Sequence, residues 1–423
     1  MWKPVFPMNP KPTVIVVGSG IIGISAGLAL QRADFKVRIL DRGESSQKAS
    51  EWNAGAFALA DIVPLATPGI MKAAPGWLLD PLGPLSIRPS YIFSIAPWLM
   101  KFWRASWNDR FPSLMQAQAE LMALSRSALD RQARLYRGDS LLRREGQLRL
   151  YDDSNAFRAS SSYWLACKEY GIAHNLLESA VEIEEIQPGL SQKFQYAGYT
   201  PDWLNVNDPK QWLKNLRDQF VDRGGLVECR DVQSISASSK VMEVCCMDAR
   251  LSCDFVVIAA GAWSKSLAKS IGDDIPLETE RGYNTTFKPG HFQLKTHLTF
   301  ADHGFVVSKV GDRVRVGGAV ELGGLSAPPN FDRSKILVSK AKQFLPTMEV
   351  VDGEEWMGFR PSMPDSLPVI GPSTKEPRVI YAFGHGHLGL TQSAATGELV
   401  RDSILGKPWP IASNPFSPKR FSH

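Results

Sequence analysis

Three glycines near the start of the chain, Gly18, Gly20 and Gly23, have the spacing of a dinucleotide-binding turn. They follow the apolar, β-branched run Val14–Val17, which predicts a buried strand. They precede residues 24–32, whose pattern predicts an amphipathic helix. In such a turn the first glycine allows the tight bend, the second lets the backbone approach a pyrophosphate, and the third lets the helix pack closely on the strand.

A second strand and an acidic residue complete the pattern. Residues Lys36–Leu40 predict this strand, and Asp41 follows it with a carboxylate that can accept hydrogen bonds from a ribose and would repel a 2′-phosphate. The first-turn amides of Ile21 and Ile22 and the helix dipole would face the phosphates, and we place Arg42 at the same site. The sequence therefore predicts a site for FAD or NAD, the alternative being a chance glycine turn.

Length and composition indicate an ordinary globular enzyme of about two domains. The chain has 423 residues, of which 44% are hydrophobic and 22% charged, and a dispersed net charge of +5 that argues against nucleic-acid binding. Its five cysteines include no C-x-x-C pair and no histidine at ligand spacing, so we expect no metal site. Without an apolar signal region or a run of 18 apolar residues, we expect a cytoplasmic protein.

Small residues follow the opening unit and carry a family resemblance. Residues 50–55, with Ser50, Asn53, Ala54 and Gly55, let the backbone approach a flat group. They resemble the flavin-contacting segment of the D-amino-acid oxidase superfamily of FAD-dependent oxidoreductases. Three further segments resemble bacterial D-amino-acid dehydrogenases in particular: Pro68-Gly69, Trp77-Leu78 and Pro84–Pro89. The resemblance extends over nearly the whole chain.

The resemblance implies an α/β (overall α+β) fold with two interleaved domains. Residues 1–88, 201–275 and 355–423 would form a Rossmann-type FAD-binding domain. Residues 89–200 and 276–354 would form a substrate domain built on a mostly antiparallel sheet plus helices. The second of these stretches alternates apolar and polar residues, which predicts several short strands.

Two helices can be predicted from the residues between these segments. Residues 111–136 have apolar side chains near helical spacing, and Asp208-Pro209 has the composition of a helix start. The helix after Pro209 should end at Gly224-Gly225.

Further cofactor contacts follow from the resemblance. Val232 occupies the position whose backbone holds the adenine, and Ala260-Gly261 end a strand beside the cofactor. The other residues expected at the cofactor are Gly358, Gly384, His385, Gly386, His387, Leu388, Gly389, Leu390 and Thr391. Residues 386–391 are a glycine-rich loop that opens a helix, so their amides would face the flavin N1 and C2 carbonyl. His385 or His387 would be either catalytic or a packing and hydrogen-bonding neighbour.

Arg360 is the candidate for binding the substrate. It lies in Gly358-Phe-Arg-Pro-x-x-Pro-Asp365, which resembles the family segment whose arginine grips the substrate carboxylate. A planar guanidinium matches a carboxylate in a bidentate manner. The alternative is a structural ion pair with Asp365. Tyr283 is a second candidate for a carboxylate or amine contact, and the alternative there is a buried strand tyrosine.

An aromatic stretch could contact a membrane or pack on the substrate domain. Tyr91–Trp107 is rich in aromatic residues and includes Lys101 and Arg104, as in an interfacial membrane contact. The interpretation we favour is a helix packed on the substrate domain. The alternative is that this stretch contacts the inner face of the cytoplasmic membrane. Some members of the family pass electrons to a membrane quinone, which supports this alternative.

The resemblance implies oxidation of a D-amino acid to an imino acid by hydride transfer from Cα to flavin N5, with a quinone-type acceptor. Within the class, the alternative substrate is a cyclic or N-substituted amino acid such as D-proline, a hydroxyproline, sarcosine or glycine. Outside it, an NAD-dependent dehydrogenase and a non-catalytic flavoprotein subunit remain. Neither the enantiomer, the choice between oxygen and quinone, nor the oligomeric state follows from the sequence.

Overall fold

The computed structural model describes residues 11–43, 48–72, 76 and 85–422. The segment Trp77-Leu78 and Pro84 lie outside the described residues. The strands, in chain order, are β1 Thr13–Val17, β2 Lys36–Asp41, β3 Ala56–Phe57, β4 Leu85–Ile87, β5 Leu142–Arg143, β6 Gln147–Tyr151, β7 Asn175–Leu177, β8 Tyr196–Thr200, β9 Leu204–Val206, β10 Leu226–Cys229, β11 Val232–Ala237, β12 Met242–Cys246, β13 Arg250–Cys253, β14 Phe255–Ile258, β15 Glu278–Lys288, β16 His297–Phe300, β17 Phe305–Val310, β18 Arg313–Leu322, β19 Val351–Ser362, β20 Val369–Pro372 and β21 Val379–Phe383. The helices are α1 Ile21–Gln31, α2 Ile92–Ala105, α3 Phe111–Leu135, α4 Ser154–Ala159, α5 Ser161–Glu169, α6 Ala180–Ile186, α7 Pro209–Asp222, α8 Ser264–Ile271, α9 Asp332–Phe344 and α10 Gly389–Ile404.

The opening β1–α1–β2 unit has the form that the glycine motif predicts. The helix begins at Ile21, three residues earlier than expected, because Gly20 is its N-cap and the Gly20 carbonyl accepts the Ile24 amide at 3.0 Å. The turn before it is tight, since the Gly18 amide donates to the Leu40 carbonyl at 2.7 Å. The loop therefore closes directly over the ends of both strands.

A six-stranded sheet has the order β10-β2-β1-β14-β21-β20, in which only the edge pair of β20 and β21 is antiparallel. Its central strand is buried on both faces: Val16 packs with α1 and α10, and Val17 packs with β11, β12 and α8. Burial on both faces explains the continuous apolar run in β1. The strands of this sheet come from the beginning, the middle and the end of the chain. The residue bounds expected for the two domains stay a prediction.

The large sheet has the order β19-β15-β18-β17-β16-β6-β8-β7, and β4 pairs with β18. Among the described strands, its pairs are antiparallel except β6 with β16 and β4 with β18, so the mostly antiparallel sheet is confirmed. The expectation of short strands is wrong for β15, β18 and β19, which have 11, 10 and 12 residues. These three long strands pair with one another and form one end of the large sheet.

Helix α9 lies inside the stretch whose alternation predicts several short strands. Its buried residues Leu337, Ala341 and Phe344 follow a helical spacing and pack on the large sheet with Phe287. The alternation of the neighbouring strands dominated our interpretation of this stretch, and that expectation is corrected.

Two other helices agree with the sequence. Helix α3 ends at Leu135, one residue before the predicted end. Helix α7 is capped by Asp208, whose carboxylate accepts the Lys210 amide at 2.8 Å. None of the described helices has both the length and the apolar character needed to cross a bilayer.

Candidate functional site

A cavity of about 1270 Å³ lies where the carboxyl ends of the parallel strands meet one face of the large sheet. Residues at the ends of β1, β2 and β21, such as Val17, Asp41 and Phe383, line one side. Residues of β6, β15 and β19 line the opposite side. Ligands of open α/β sheets bind at the carboxyl ends of the strands, as this cavity would allow.

The turn glycines leave no room for side chains. Gly18 has a φ of +108°, and a β-carbon there would lie 2.4 Å from the Ala259 carbonyl oxygen. A β-carbon on Gly20 would lie 3.1 Å from Ser50 Oγ, and both glycines line the cavity. Gly23 does not line the cavity. It faces the turn instead, where a β-carbon would lie 1.9 Å from the Gly18 carbonyl oxygen. Gly23 thus allows close packing of α1, as expected of the third glycine.

The acidic residue after β2 is held by the turn. One Asp41 carboxylate oxygen accepts the Ser19 amide at 2.7 Å, and the Lys48 ammonium lies 3.3 Å from the other oxygen. Lys48 also donates to the Ser19 hydroxyl at 2.9 Å, and the Arg42 guanidinium lies 4.0 Å from the centre of the Trp263 ring. Lys48 belongs to no motif, and we did not identify it from the sequence. It adds a positive charge beside the turn where a pyrophosphate would lie.

Residues 50–55 connect the turn to the large sheet. Ser50 Oγ accepts the Ile21 amide at 3.0 Å, and the Asn53 side chain accepts the Gly55 amide at 2.7 Å. Arg315 of β18 donates to the Asn53 carbonyl at 2.5 Å. Four residues of this segment line the cavity, namely Ser50, Trp52, Asn53 and Ala54, whereas Gly55 does not.

Most of the other expected cofactor residues reach the cavity. Those that line it are Ile21, Ile22, Val232, Ala260, Gly261, Gly358, His385, Gly386, His387, Gly389 and Leu390. Gly384, Leu388 and Thr391 lie behind them. Gly384 has a φ of +86° at the bend after β21, and Thr391 Oγ1 accepts the Ala58 amide at 2.9 Å. These three residues therefore shape the loop from behind.

The two histidines of this loop differ in environment. His385 is buried, its Nε2 lies 2.9 Å from Thr396 Oγ1, and burial lowers the pKa of His385 to about 3. It is therefore neutral at pH 7, which favours a hydrogen-bonding role. His387 faces the cavity with Nε2 3.8 Å from Asp61 Oδ2. Removal from water lowers the pKa of His387, while the charges of Asp61 and Glu280 oppose that shift.

Arg360 projects from β19 into the cavity. It lies directly across from Glu280 of β15, and its guanidinium runs over Gly282, where a β-carbon would lie 2.5 Å from Cζ. The Nη1 atom is buried and has no hydrogen-bond partner among the described residues. Burial lowers the pKa of Arg360, and the Glu280 charge opposes that shift. A buried guanidinium with a free donor is suited to bind an anion.

The alternative ion pair of Arg360 with Asp365 is not present. Asp365 is instead bound by Arg420 through two contacts, Nε to Oδ2 at 2.7 Å and Nη2 to Oδ1 at 3.2 Å. The carboxylate that could have occupied the Arg360 guanidinium is therefore held by the C-terminal segment.

Tyr283 lines the cavity, but its hydroxyl is already engaged. It donates to Glu321 at 2.6 Å and accepts the Asn330 amide at 3.0 Å. Burial and the Glu321 carboxylate raise the pKa of Tyr283. These contacts favour the alternative interpretation, a buried strand tyrosine.

Several polar residues of the cavity were not identified from the sequence. Asp61, Glu280 and His297 line it, as does Arg149, whose guanidinium lies 4.6 Å from the centre of the Tyr163 ring. The one available signal was alternation: Arg149 stands between two leucines in β6, so it points away from the core that the leucines fill.

The residues present fit FAD. The glycine turn admits a backbone-close pyrophosphate, Asp41 and Val232 mark the adenosine end, and the start of α10 faces the middle of the cavity. The Arg360 guanidinium, with its unpartnered Nη1 atom, lines the same cavity.

Comparison with known proteins identifies relatives over almost the full length. A profile of the FAD dependent oxidoreductases named DAO matches residues 13–403. D-amino-acid oxidase from Bradyrhizobium diazoefficiens is 33% identical over 426 residues, covering 96% of this chain and 98% of the relative. D-amino acid dehydrogenase from Rhizobium johnstonii is 27% identical over 407 residues, covering 93% and 96%.

Solved structures share the fold. Glycine oxidase from Geobacillus kaustophilus superimposes with a TM-score of 0.78 at 20% identity, covering 98% of this chain and 100% of that one. L-proline dehydrogenase from P. horikoshii has a TM-score of 0.74 at 17% identity, covering 98% of each chain. At these identities the likeness shows the architecture and no more.

Proposed function

Because this chain belongs to the family of FAD-dependent oxidoreductases, we propose that it oxidises a D-amino acid to the imino acid and passes the electrons to a quinone-type acceptor. Water then hydrolyses the imino acid to the 2-oxo acid. One observation carries the proposal: a buried guanidinium, that of Arg360, lies in the cofactor cavity with an unpaired donor. The two relatives named above support a D-amino acid as the substrate.

We propose that the cofactor is held at both ends by the residues predicted for it. Gly18, Gly20, Asp41 and Val232 would hold the adenosine and pyrophosphate, and the loop that opens α10 would hold the flavin. Bound FAD supplies the acceptor for the hydride that leaves the substrate Cα. The loop amides would favour the negative charge that accompanies reduction.

Arg360 would orient the substrate. A bidentate contact to both carboxylate oxygens restricts the position of Cα, and such orientation contributes up to ~7–11 kcal/mol in favourable cases. Trp98 and Phe102 of α2 line the cavity close to Glu280 and His387. Their apolar rings would exclude water once the substrate is bound.

A membrane-embedded quinone fits the position of α2. Ile95 and Trp98 are buried against the large sheet, as the packed-helix interpretation predicts, while Phe93, Met100 and Trp103 are 91%, 62% and 49% exposed. We propose that this exposed face contacts the membrane surface from which the acceptor comes. The buried face of the same helix lines the cavity, so the acceptor would have a short apolar route to it.

The visible spectrum of the purified holoenzyme tests the reaction and its alternatives. We expect the flavin band to bleach anaerobically with D-amino acids and not with the L-enantiomers. Faster bleaching by D-proline, a hydroxyproline, sarcosine or glycine would favour the alternative substrate class. A yellow protein that no amino acid bleaches would be a non-catalytic flavoprotein subunit. Reoxidation by a soluble quinone faster than by oxygen would support the acceptor.

Substitution of the arginine tests the substrate contact. Arg360→Ala should raise KM steeply and lower kcat/KM at least ~100-fold, because a charged bidentate partner is lost. The flavin band should persist. Arg378→Ala, which removes a surface arginine paired with Glu376 at 2.8 Å, is the matched control and should leave kcat/KM unchanged. Near-normal kinetics of the flavin-bound Arg360→Ala variant would contradict the assignment.

A further inference from the structure

We propose that Glu280 accepts a proton from the substrate ammonium, so that the enzyme uses the zwitterionic amino acid directly. This inference rests on the proposed function, since it assumes that Arg360 binds the carboxylate of an amino acid. Hydride transfer from Cα requires an unprotonated substrate nitrogen, whose lone pair forms the C=N bond. Amino acids in neutral water instead carry an ammonium group. A base beside the carboxylate site would remove that barrier.

The position of Glu280 supports this role. Glu280 and Arg360 are directly opposed residues of the antiparallel strands β15 and β19, so their side chains share one face of the sheet. The Arg360 guanidinium leans along that face to Gly282, which leaves the Glu280 carboxylate beside it. An amino acid carries its carboxylate and its ammonium on the same carbon. One substrate can therefore contact both side chains.

The Glu280 carboxylate is buried, and its ionisable neighbours Arg360 and His387 form no hydrogen bond or ion pair with it. The residue is 8% exposed, lines the cavity, and forms no hydrogen bond or ion pair with the part of the chain that the structure describes. Glu321, a buried carboxylate on the neighbouring strand, is by contrast bound by Arg88, Arg281 and Tyr283. A buried carboxylate without a hydrogen bond is costly, and a cation that donates hydrogen bonds to it offsets that cost. A substrate ammonium would be that cation.

The groups around Glu280 provide a route for the proton. Arg360 faces it from β19, His387 faces it from the loop before α10, and Asp61 lies behind His387 at 3.8 Å. Trp98 contributes its ring from α2 and an indole N–H that is buried without a hydrogen-bond partner among the described residues. In the proposed step His387 would be the neighbouring titratable group that could take the proton on from Glu280.

The step balances in atoms and charge. One ammonium N–H bond breaks and an O–H bond forms on Glu280, while the electron pair stays on the nitrogen. That pair forms the C=N bond as the Cα–H bond breaks and its electron pair leaves with the hydrogen as hydride, accepted by FAD. The zwitterion therefore gives one proton, one hydride and a neutral iminium carboxylate.

A pH profile of the holoenzyme tests the proposal. With D-alanine, wild-type kcat/KM should be nearly constant between pH 7 and the pKa of the free amine. In Glu280→Gln it should fall on the order of 100-fold at pH 7 and rise about tenfold per pH unit as the free amine appears. Glu280→Asp should restore part of the activity at pH 7. Glu278→Gln, on the same strand and bound to Tyr91, is the matched control and should keep the wild-type profile.

Binding measurements distinguish the alternatives. Acetate, which has no ammonium, should perturb the flavin spectrum of Glu280→Gln at least as readily as that of the wild type, which shows an intact site. If Glu280→Gln lowered kcat/KM only with D-lysine, Glu280 would bind a cationic side chain. If the pH profile of Glu280→Gln matched that of the wild type, Glu280 would take no proton. Either result overturns the proposal. Failure of any amino acid to bleach the wild type would instead refute the proposed function.

Discussion

The centre of the cavity depends on two opposed glycines, Gly282 of β15 and Gly358 of β19. The Arg360 guanidinium covers the first, and the Trp356 ring covers the second, where a β-carbon would lie 1.8 Å from Cη2. Trp356 in turn stacks on Trp52 with ring centres 5.8 Å apart. The glycines thus provide the space in which two large side chains lie flat on the sheet.

Alanine at Gly282 tests that arrangement at the residue scale. The φ of Gly282 is ordinary for a strand, so Gly282→Ala should fold, but its methyl group would displace the Arg360 guanidinium. We expect KM for the amino acid to rise at least ~10-fold with a normal flavin spectrum. Gly353→Ala, in the partner strand β19, is the control: a β-carbon there would have its nearest neighbour at 3.5 Å, so KM should be unchanged. Equal KM values in both variants would contradict this view of the site.

At the scale of elements, the predictions succeeded where the signal was local. The glycine motif defines the β1–α1–β2 unit, and the Asp208 cap defines the start of α7. Helix α9 was missed because its helical spacing lies between strands whose alternation is stronger. The lengths of β15, β18 and β19 were missed because they depend on pairing with one another, which no single segment contains.

Helix α2 yields the prediction that belongs to this scale. If its exposed face lies on a membrane, Phe93→Ser with Trp103→Ser should weaken binding to anionic lipid vesicles at least ~10-fold, because burial of each ring contributes about 1.5–3 kcal/mol. Cosedimentation with vesicles measures this. Leu176→Ser with Val181→Ser removes exposed apolar residues elsewhere, 48% and 69% exposed, and is the matched control. Similar binding of both double variants and the wild type would refute the membrane contact.

At the scale of the whole molecule, the two halves of the site differ in how far they could be predicted. The cofactor half consists of contiguous motifs, so Gly18, Gly20 and the loop before α10 were identified as a group. The substrate half is assembled from single residues of separate strands, such as Arg149 and Glu280. Which of these face the cavity depends on strand register and on the side of the sheet that meets the cofactor domain.

Buried histidines give the whole molecule a pH-dependent stability. Burial lowers the pKa of both His297 and His385 to about 3, below the ordinary value of 6.5. Below pH 6.5 the unfolded chain therefore binds more protons than the folded one, through these two histidines and through His387, whose pKa burial also lowers. The free energy of unfolding should decrease as pH falls, and His297 and His385 each contribute up to about 1.4 kcal/mol per pH unit well below pH 6.5.

Thermal unfolding of the holoenzyme between pH 6.5 and 5 measures this effect. The Tm should fall steadily with pH, because this window lies above the range in which most carboxylates titrate. His297→Gln removes one of these groups, and its Tm should depend on pH less steeply than that of the wild type, whatever its Tm at pH 7. His291→Gln changes an exposed histidine and should keep the wild-type slope. An equal slope in wild type and His297→Gln would mean that burial does not lower the pKa of His297 in the folded protein.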